Sequence, residues 1–202
     1  MEKINITIIG AGIVGLSAAA ELSDTRRSIY VIEKNSSFGM ETSSRNSEVI
    51  HSGIYYPTGS LKHRLCLEGN RLLYELCEDK GISYKNTQKY IVAYKEEDRE
   101  ELHELFKNGK DNEVPGIRLV DGKTVQEDEP RIKCKEAICV PTAGIMDSHS
   151  VMEYQLKKFR HNNGEIIYNT RVADIEKSSP GGDFIVEVEE PGGENFKFSS
   201  SV

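Results

Sequence analysis

Between Ile4 and Ala20 the chain carries no charged residue, and Glu21 closes the run. Residues 4–9 (Ile-Asn-Ile-Thr-Ile-Ile) are mostly β-branched and stop at Gly10, which predicts a short strand. Residues 13–23 are alanine-rich and predict a helix, with Asp24 to Arg27 as its exit. Residues 28–32 (Ser-Ile-Tyr-Val-Ile) predict a second strand ending at Glu33. Strand, helix and strand in this order form a βαβ unit with parallel strands and a right-handed crossover. The uncharged run is not read as a membrane span. It holds Asn5, Thr7, Ser17 and three glycines, and falls short of the roughly 20 apolar residues a span needs.

The pattern then changes. Residues 34–60 are rich in Ser, Gly and Asn without periodicity, a long loop of the kind that carries function in compact domains. Residues 61–80 predict a helix with an apolar stripe of Leu61, Leu65, Leu72, Leu73 and Leu76, ended by Gly81. A strand is expected at 88–94 and a charged helix at 96–107 with Leu102, Leu105 and Phe106 inward. A loop follows at 108–115, then strands at 117–120 and 136–140 around a helical turn near 123–129. Asp147 or Ser148 can cap a helix over 149–162 that ends at Gly164. Strands at 165–168 and 171–176 precede a hairpin over 183–200, turned at Pro191-Gly192-Gly193.

Composition narrows the class. The 202 residues hold 26 basic and 33 acidic side chains, a net charge of -7, which argues against a nucleic-acid partner. Cys66, Cys77, Cys134 and Cys139 form no CxxC pair and have no His at zinc-ligand spacing. They read as reduced thiols, with a Cys134–Cys139 pair as the lesser alternative, and no metal site is expected. Met1-Glu2-Lys3-Ile4 enters a strand at once, so no export signal is read and the location expected is cytoplasmic. No basic amphipathic helix indicates membrane contact.

The strongest chemistry is Gly10-Ala11-Gly12-Ile13-Val14-Gly15, between a predicted strand and a predicted helix. The first glycine permits the tight turn, the second lets backbone approach a diphosphate, and the third allows close packing of helix on strand. The helix N-terminus adds N–H donors and a positive dipole end. Glu33 lies 18 residues past Gly15, placed to accept both hydroxyls of an adenosine ribose and to repel a 2′-phosphate. NADP is therefore disfavoured, and Lys34 belongs with the same group. The turn alone does not separate FAD from NAD. A simple NAD domain would continue with further β/α units, whereas here the loop Phe38 to Ser47 follows.

The segment Thr42-Ser43-Ser44-Arg45-Asn46-Ser47-Glu48-Val49-Ile50-His51-Ser52-Gly53-Ile54-Tyr55-Tyr56-Pro57 resembles the flavin-proximal part of the L-2-hydroxyglutarate dehydrogenase/oxidase family. Gly59-Ser60-Leu61-Lys62, Cys66, Glu68-Gly69-Asn70, Glu129-Pro130 and Gly144-Ile145-Met146-Asp147 continue the likeness over essentially the whole chain. That family sits within the D-amino-acid-oxidase-like FAD superfamily.

The resemblance implies an α/β fold, a Rossmann-like FAD-binding domain with parallel sheet and β-hairpin, interrupted by an antiparallel-sheet substrate domain. Residues 1–83 and 141–202 would form the first and 84–140 the second. The family's chains are longer, so the likeness implies an N-terminal part, weak in FAD binding and turnover by itself, with strand 4–9 left as an unpaired edge.

The implied reaction is oxidation of a 2-hydroxy acid to a 2-oxo acid with FAD as cofactor. Oxygen, a quinone or an electron-transfer protein is the acceptor. The alternatives are glycerol-3-phosphate or amine oxidation, and a non-catalytic FAD-binding fragment.

By the same resemblance Ser44, Asn46 and Ser47 approach the diphosphate or the flavin ring, and the backbone of Val172 meets the adenine edge. Arg45 either offsets phosphate charge or is solvated. His51 has three readings: base or substrate ligand, covalent flavin tether, or hydrogen-bonded structural residue. Tyr55 and Tyr56 line the pocket or, by preference, the core. Lys62, His63 and Arg64 attract a dicarboxylate or, by preference, form a solvated helix face. His103, His149 and His161 read as surface residues.

Overall fold

The computed structural model describes residues 3–23 and 26–202. The helix exit expected at Asp24 to Arg27 lies partly outside the described residues.

In chain order the first elements are β1 (Lys3–Ile4), β2 (Ile6–Ile9), α1 (Ile13–Leu22), β3 (Ile29–Ile32), a 3-10 turn (Thr42–Ser44) and β4 (Val49–Ile50). Then come α2 (Leu61–Lys80), β5 (Tyr84–Lys85), β6 (Lys89–Ala93), α3 (Asp98–Asp111), β7 (Arg118–Asp121), α4 (Gly122–Asp128), β8 (Glu136–Val140) and β9 (Gly144–Met146). The last are α5 (Ser148–His161), β10 (Glu165–Ile167), β11 (Arg171–Lys177), β12 (Phe184–Glu189) and β13 (Asn195–Ser200). The chain divides into two compact units, Met1–Asn46 with Ser148–Val202, and Ser47–Asp147. Residues 47–83 and 141–147, grouped by sequence with the nucleotide half, thus fall in the other compact unit.

In the first unit β10, β3 and β2 form a parallel sheet in that order. Helices α1 and α5 pack on it through Leu16, Ala19, Ala20, Met152, Leu156 and Phe159. The alanines of α1 are what let α5 come close. Gly164 follows α5 because a Cβ there would lie 2.0 Å from the Phe159 ring. A second apolar cluster joins Ile4 and Ile32 to Val186, Val188 and Phe198 of the hairpin sheet β1-β13-β12-β11.

The single strand expected over 4–9 is two. Asn5 breaks it, its side-chain Oδ1 accepting the Ser28 N–H (2.9 Å) while its own N–H donates to Ser28 Oγ (3.0 Å). The unpaired edge expected there is corrected as well. β13 runs parallel to β1, pairing Lys3 with Ser199 and Ile4 with Ser200, and Thr7 N–H donates to Val202 O at 2.9 Å. The end of the hairpin therefore supplies the hydrogen bonds along residues 3–7.

In the second unit β6-β8-β7 is antiparallel, and β9 lies between β4 and β5 in a second small antiparallel sheet. Its core holds Ile54, Ala93, Leu102, Val114, Ile117, Ile138 and Val140. α3 runs on to Asp111, past the expected end, because Gly109 lets its last turn sit against Ile54 and Ile117, 2.8 Å from where a Cβ would stand.

α2 ends at Gly81 as expected, at φ 65°, and at its start Ser60 Oγ accepts the His63 N–H. Its inward face is different. Leu61, Leu65 and Leu72 are exposed, while His63 and Cys77 are buried, with Leu67, Asn70 and Tyr74 half-buried between them. All four cysteines are free thiols. Among the described residues no helix is long and apolar enough to cross a membrane, and no three His, Cys, Asp or Glu side chains are grouped to hold a metal ion.

Candidate functional site

The glycine turn joins β2 to α1. Gly10 sits at φ +94°, a left-handed conformation costly to any residue with a Cβ. Gly15 packs the first turn of α1 onto that bend; a Cβ on it would lie 2.0 Å from Gly10 O. Ala11 is fully buried behind the bend, and Gly39 N–H donates to its carbonyl (2.9 Å). Gly12 is the N-cap and brings no capping side chain. The hydroxyl of Ser43 instead accepts the Ile13 N–H at 3.0 Å and stands 3.0 Å from where a Gly12 Cβ would be.

Glu33 ends β3 and is 6% exposed. Its Oε2 accepts the Ala11 N–H (2.7 Å), and its Oε1 accepts both the backbone N–H and the side-chain amide of Asn35 (2.8 Å each). An ionised carboxylate offers about four acceptor positions. Three are taken, and Oε2 keeps one. A grip on two hydroxyls, as read from the sequence, requires Asn35 to give up a place on Oε1.

Gly10, Gly12, Glu33, Lys34, Glu41 and Val172 line one open cavity of about 280 Å³. That approaches the roughly 300 Å³ at the small end of ligand pockets. Residues 162 positions apart, Gly10 and Val172, meet here because β11 packs its Val172 against the sheet. Lys34 Nζ pairs with Glu41 Oε1 at 2.8 Å, which raises the lysine and lowers the carboxyl from their ordinary values. Ile13, Val14 and Gly15 do not line the cavity, and Val14 is 79% exposed.

Of the serine-rich loop, Ser44, Asn46 and Ser47 are exposed. Ser44 Oγ donates to Glu41 O (3.1 Å), and Asn46 Nδ2 donates to Ser43 O (2.7 Å). Ser43, which the sequence reading did not single out, is the hydroxyl that reaches the helix N-terminus. Its only signal is its place in Thr42-Ser43-Ser44, where the phase of the 3-10 turn decides which side chain points inward. Arg45 is exposed. His149 is a surface residue, its ring stacked on Phe38 at 5.0 Å.

The second unit carries the other candidate. His51 is exposed, and its carbonyl accepts the Asn70 side-chain amide at 2.9 Å. Partial burial, then the charges of Lys89 and Lys62, hold its imidazole below the ordinary histidine value. Lys89 Nζ lies 4.7 Å from the Tyr55 ring centroid and Lys62 Nζ 4.6 Å from that of Tyr56.

Two expectations are corrected here. Tyr55 is 54% exposed, not core, since the buried positions of this loop go to Ser52, Gly53 and Ile54. His63 is not part of a solvated basic face. It is 8% exposed, its Nδ1 accepts the Gly59 N–H (3.1 Å) and its Nε2 donates to Asn112 O (3.0 Å), which fixes the tautomer. Lys89 was not anticipated; its signal is a charge at the head of the apolar run Tyr90 to Ala93. His103 is exposed, as expected, and pairs with Glu136 at 2.7 Å.

Known proteins resemble this chain at both levels. It is 41% identical over 168 residues to "L-2-hydroxyglutarate dehydrogenase, mitochondrial" of Arabidopsis thaliana, covering 80% of this chain and 35% of that protein. It is 40% identical over 183 residues to the human protein of the same name, covering 89% and 40%. The chain thus spans less than half the length of these relatives. Among solved structures, L-alpha-glycerophosphate oxidase of Mycoplasma pneumoniae with FAD bound superposes with TM-score 0.87 at 25% identity, over all of this chain and 53% of that one. Glycine oxidase of Geobacillus kaustophilus gives TM-score 0.83 at 20% identity, over all of this chain and 54% of that one, and shares the fold.

The cytoplasmic location expected from the sequence is overturned, because these relatives are named as mitochondrial. A compartment address is a segment read by a receptor, and it is independent of the chemistry of a folded domain. A family model described as FAD dependent oxidoreductase (DAO) matches residues 5–199, and the chain belongs to that family.

Proposed function

We propose that this chain is part of an FAD-dependent oxidoreductase that converts a 2-hydroxy acid of the L-2-hydroxyglutarate class to its 2-oxo acid. The observation that carries the reading is the cavity in which Gly10 and Gly12, Glu33 and Val172 converge from three places in the chain. The family and the relatives' names support the cofactor and the substrate class.

The residues fit the adenosine-diphosphate half of the cofactor. Side chains at Gly12 and Gly15 would fill the approach or break the bend. Ser43 Oγ and the N-terminal N–H groups of α1 would hold the diphosphate, Glu33 Oε2 one ribose hydroxyl, and the Val172 backbone the adenine edge. Asn46 would orient Ser43 through its carbonyl. Lys34 and Glu41, paired across the cavity lining, would close over the sugar. Ser44 and Ser47 stay assigned to the flavin-side loop.

When bound, FAD supplies the two-electron acceptor for the hydride that leaves the substrate carbon. His51 would take the hydroxyl proton on its unprotonated ring nitrogen, and burial with the nearby lysine charges favours that unprotonated form. The first compact unit serves the cofactor and the second the substrate.

The test is anaerobic addition of L-2-hydroxyglutarate, glycerol 3-phosphate and glycine in turn to the full-length flavoprotein. Loss of visible flavin absorbance with L-2-hydroxyglutarate alone is expected. Bleaching only by one of the other two rejects the substrate class, and bleaching by none rejects the enzyme.

A further inference from the structure

In strand β6, Lys89, Ile91 and Ala93 share one face by the two-residue alternation of the pleat. Ile91 and Ala93 pack into the second unit's core, and the residues opposite on β8 are Val140, Ile138 and Glu136. Lys89 is therefore a cation set at the end of an apolar face, and it is half-buried.

Neither Lys89 nor Lys62 makes an ion pair among the described residues; each ammonium lies over a tyrosine ring instead. The charged groups acting on Lys89 include no carboxylate, and burial lowers its basicity. Cys66 Sγ lies 3.5 Å from the His51 carbonyl oxygen, and Lys62 stands four residues before Cys66 on α2; the charges of both lysines are felt at His51 and at the Cys66 thiol. Asp98 and Glu101 line a cavity of about 270 Å³ with Tyr55, but Asp98 is held by the N–H groups of Tyr94 and Lys95, and neither acid reaches the lysines.

A half-buried ammonium with no counter-charge is an unfavourable arrangement unless something else supplies the anion. Tyrosine faces attract a cation yet leave its N–H donors unfilled. His51, Tyr55 and Lys62 are exposed, so an anion can reach the place from solvent.

We infer that Lys89, with Lys62 beside it, binds a carboxylate of the substrate and holds the hydroxy acid against His51. The inference rests on the 2-hydroxy-acid reading above and adds the group that recognises the acid. Lys89 is a binding residue here and Lys62 its electrostatic support. Two cations suit a dicarboxylate better than an uncharged alcohol or a zwitterionic amino acid, whose own ammonium they repel.

The test compares full-length Lys89→Met, Lys62→Met and Lys89→Arg proteins with the unaltered one. It uses KM and kcat for L-2-hydroxyglutarate, and calorimetric titration with glutarate, which lacks the reacting hydroxyl. Lys89→Met is expected to raise KM and the glutarate Kd at least tenfold while kcat changes less than threefold. Lys89→Arg should restore most of the loss, and Lys62→Met should give a smaller shift in the same direction. Should Lys89→Met fail to fold, Lys62→Met on its exposed helix face carries the test, with at least a threefold rise in the glutarate Kd expected.

Unchanged glutarate binding in the folded variants overturns the inference while leaving the functional reading intact. An unaltered protein that is not bleached by L-2-hydroxyglutarate and does not bind glutarate overturns both.

Discussion

The two compact units treat charge in opposite ways. In the first, the carboxylate of Glu33 is buried and answered from within, by the Ala11 N–H and two donors of Asn35. In the second, Lys89 is half-buried and answered by an aromatic face alone. The first charge therefore holds the fold together and keeps one acceptor position open. The second contributes little to the fold and is available to an anion. A charge that folding has already satisfied tells of architecture; one that folding leaves unsatisfied points outward, to what the protein binds.

The largest expected effect belongs to the architectural side. Gly15→Ala drives a Cβ into Gly10 O, backbone against backbone, with no flexible side chain to give way. Overpacking of this kind costs about 1–3 kcal/mol or more. The full-length protein should purify with little flavin, read as the visible-to-ultraviolet absorbance ratio. Normal flavin content would show that the bend tolerates what its geometry forbids.

Glu33→Ala comes next. It strands the buried Ala11 N–H and frees Asn35, at roughly 2–3 kcal/mol of stability, seen as a lowered denaturation midpoint. Lys89→Met is the mirror experiment. It removes a partly desolvated cation and forfeits a cation–π contact of about 1 kcal/mol, so stability should stay within about 1 kcal/mol while anion binding suffers. Equal losses of stability from the two substitutions would erase the contrast.

The smallest effect is a satisfied charge in the second unit. Glu136 accepts from His103 and Arg99, which hold its carboxyl below the ordinary value of 4.5. A carboxyl lowered on folding adds stability that is complete above its unfolded value and is lost as pH falls through the folded one. Its partners are exposed, so the contribution is under about 1 kcal/mol. Denaturant midpoints should decline below about pH 4.5 less steeply for Glu136→Gln than for the unaltered protein.

The glycine turn, Glu33 and the hairpin were legible because their chemistry is tied to spacing along the chain. A bend needs glycine at fixed steps, and a strand end falls where the apolar run stops. What escaped depended on three dimensions. Ser43 rather than Ser44 reaches α1 because of the phase of one 3-10 turn. The leucines of α2 suggested the wrong face, since its buried positions are held by His63 and Cys77, with half-buried Asn70 between them, and the His63 and Asn70 side chains bond to backbone carbonyls distant in sequence. Lys89 escaped because a lysine at the head of a strand carries no signal by itself; its face is the core face, which only the sheet pairing shows. The split at Asn5 came from a side-chain exchange with Ser28 that no periodicity encodes.

The parallel pairing of β1 with β13 has a consequence for synthesis. Lys3 and Ile4 leave the ribosome well before their hydrogen-bonding neighbours, Ser199 and Ser200, which are made almost two hundred residues later. Through that interval nascent β1 has one edge without its native mate, a delay characteristic of folds built on contacts remote in sequence. Protection of amides 3–7 from deuterium exchange should therefore appear only in the latest phase of refolding, after the helices are formed.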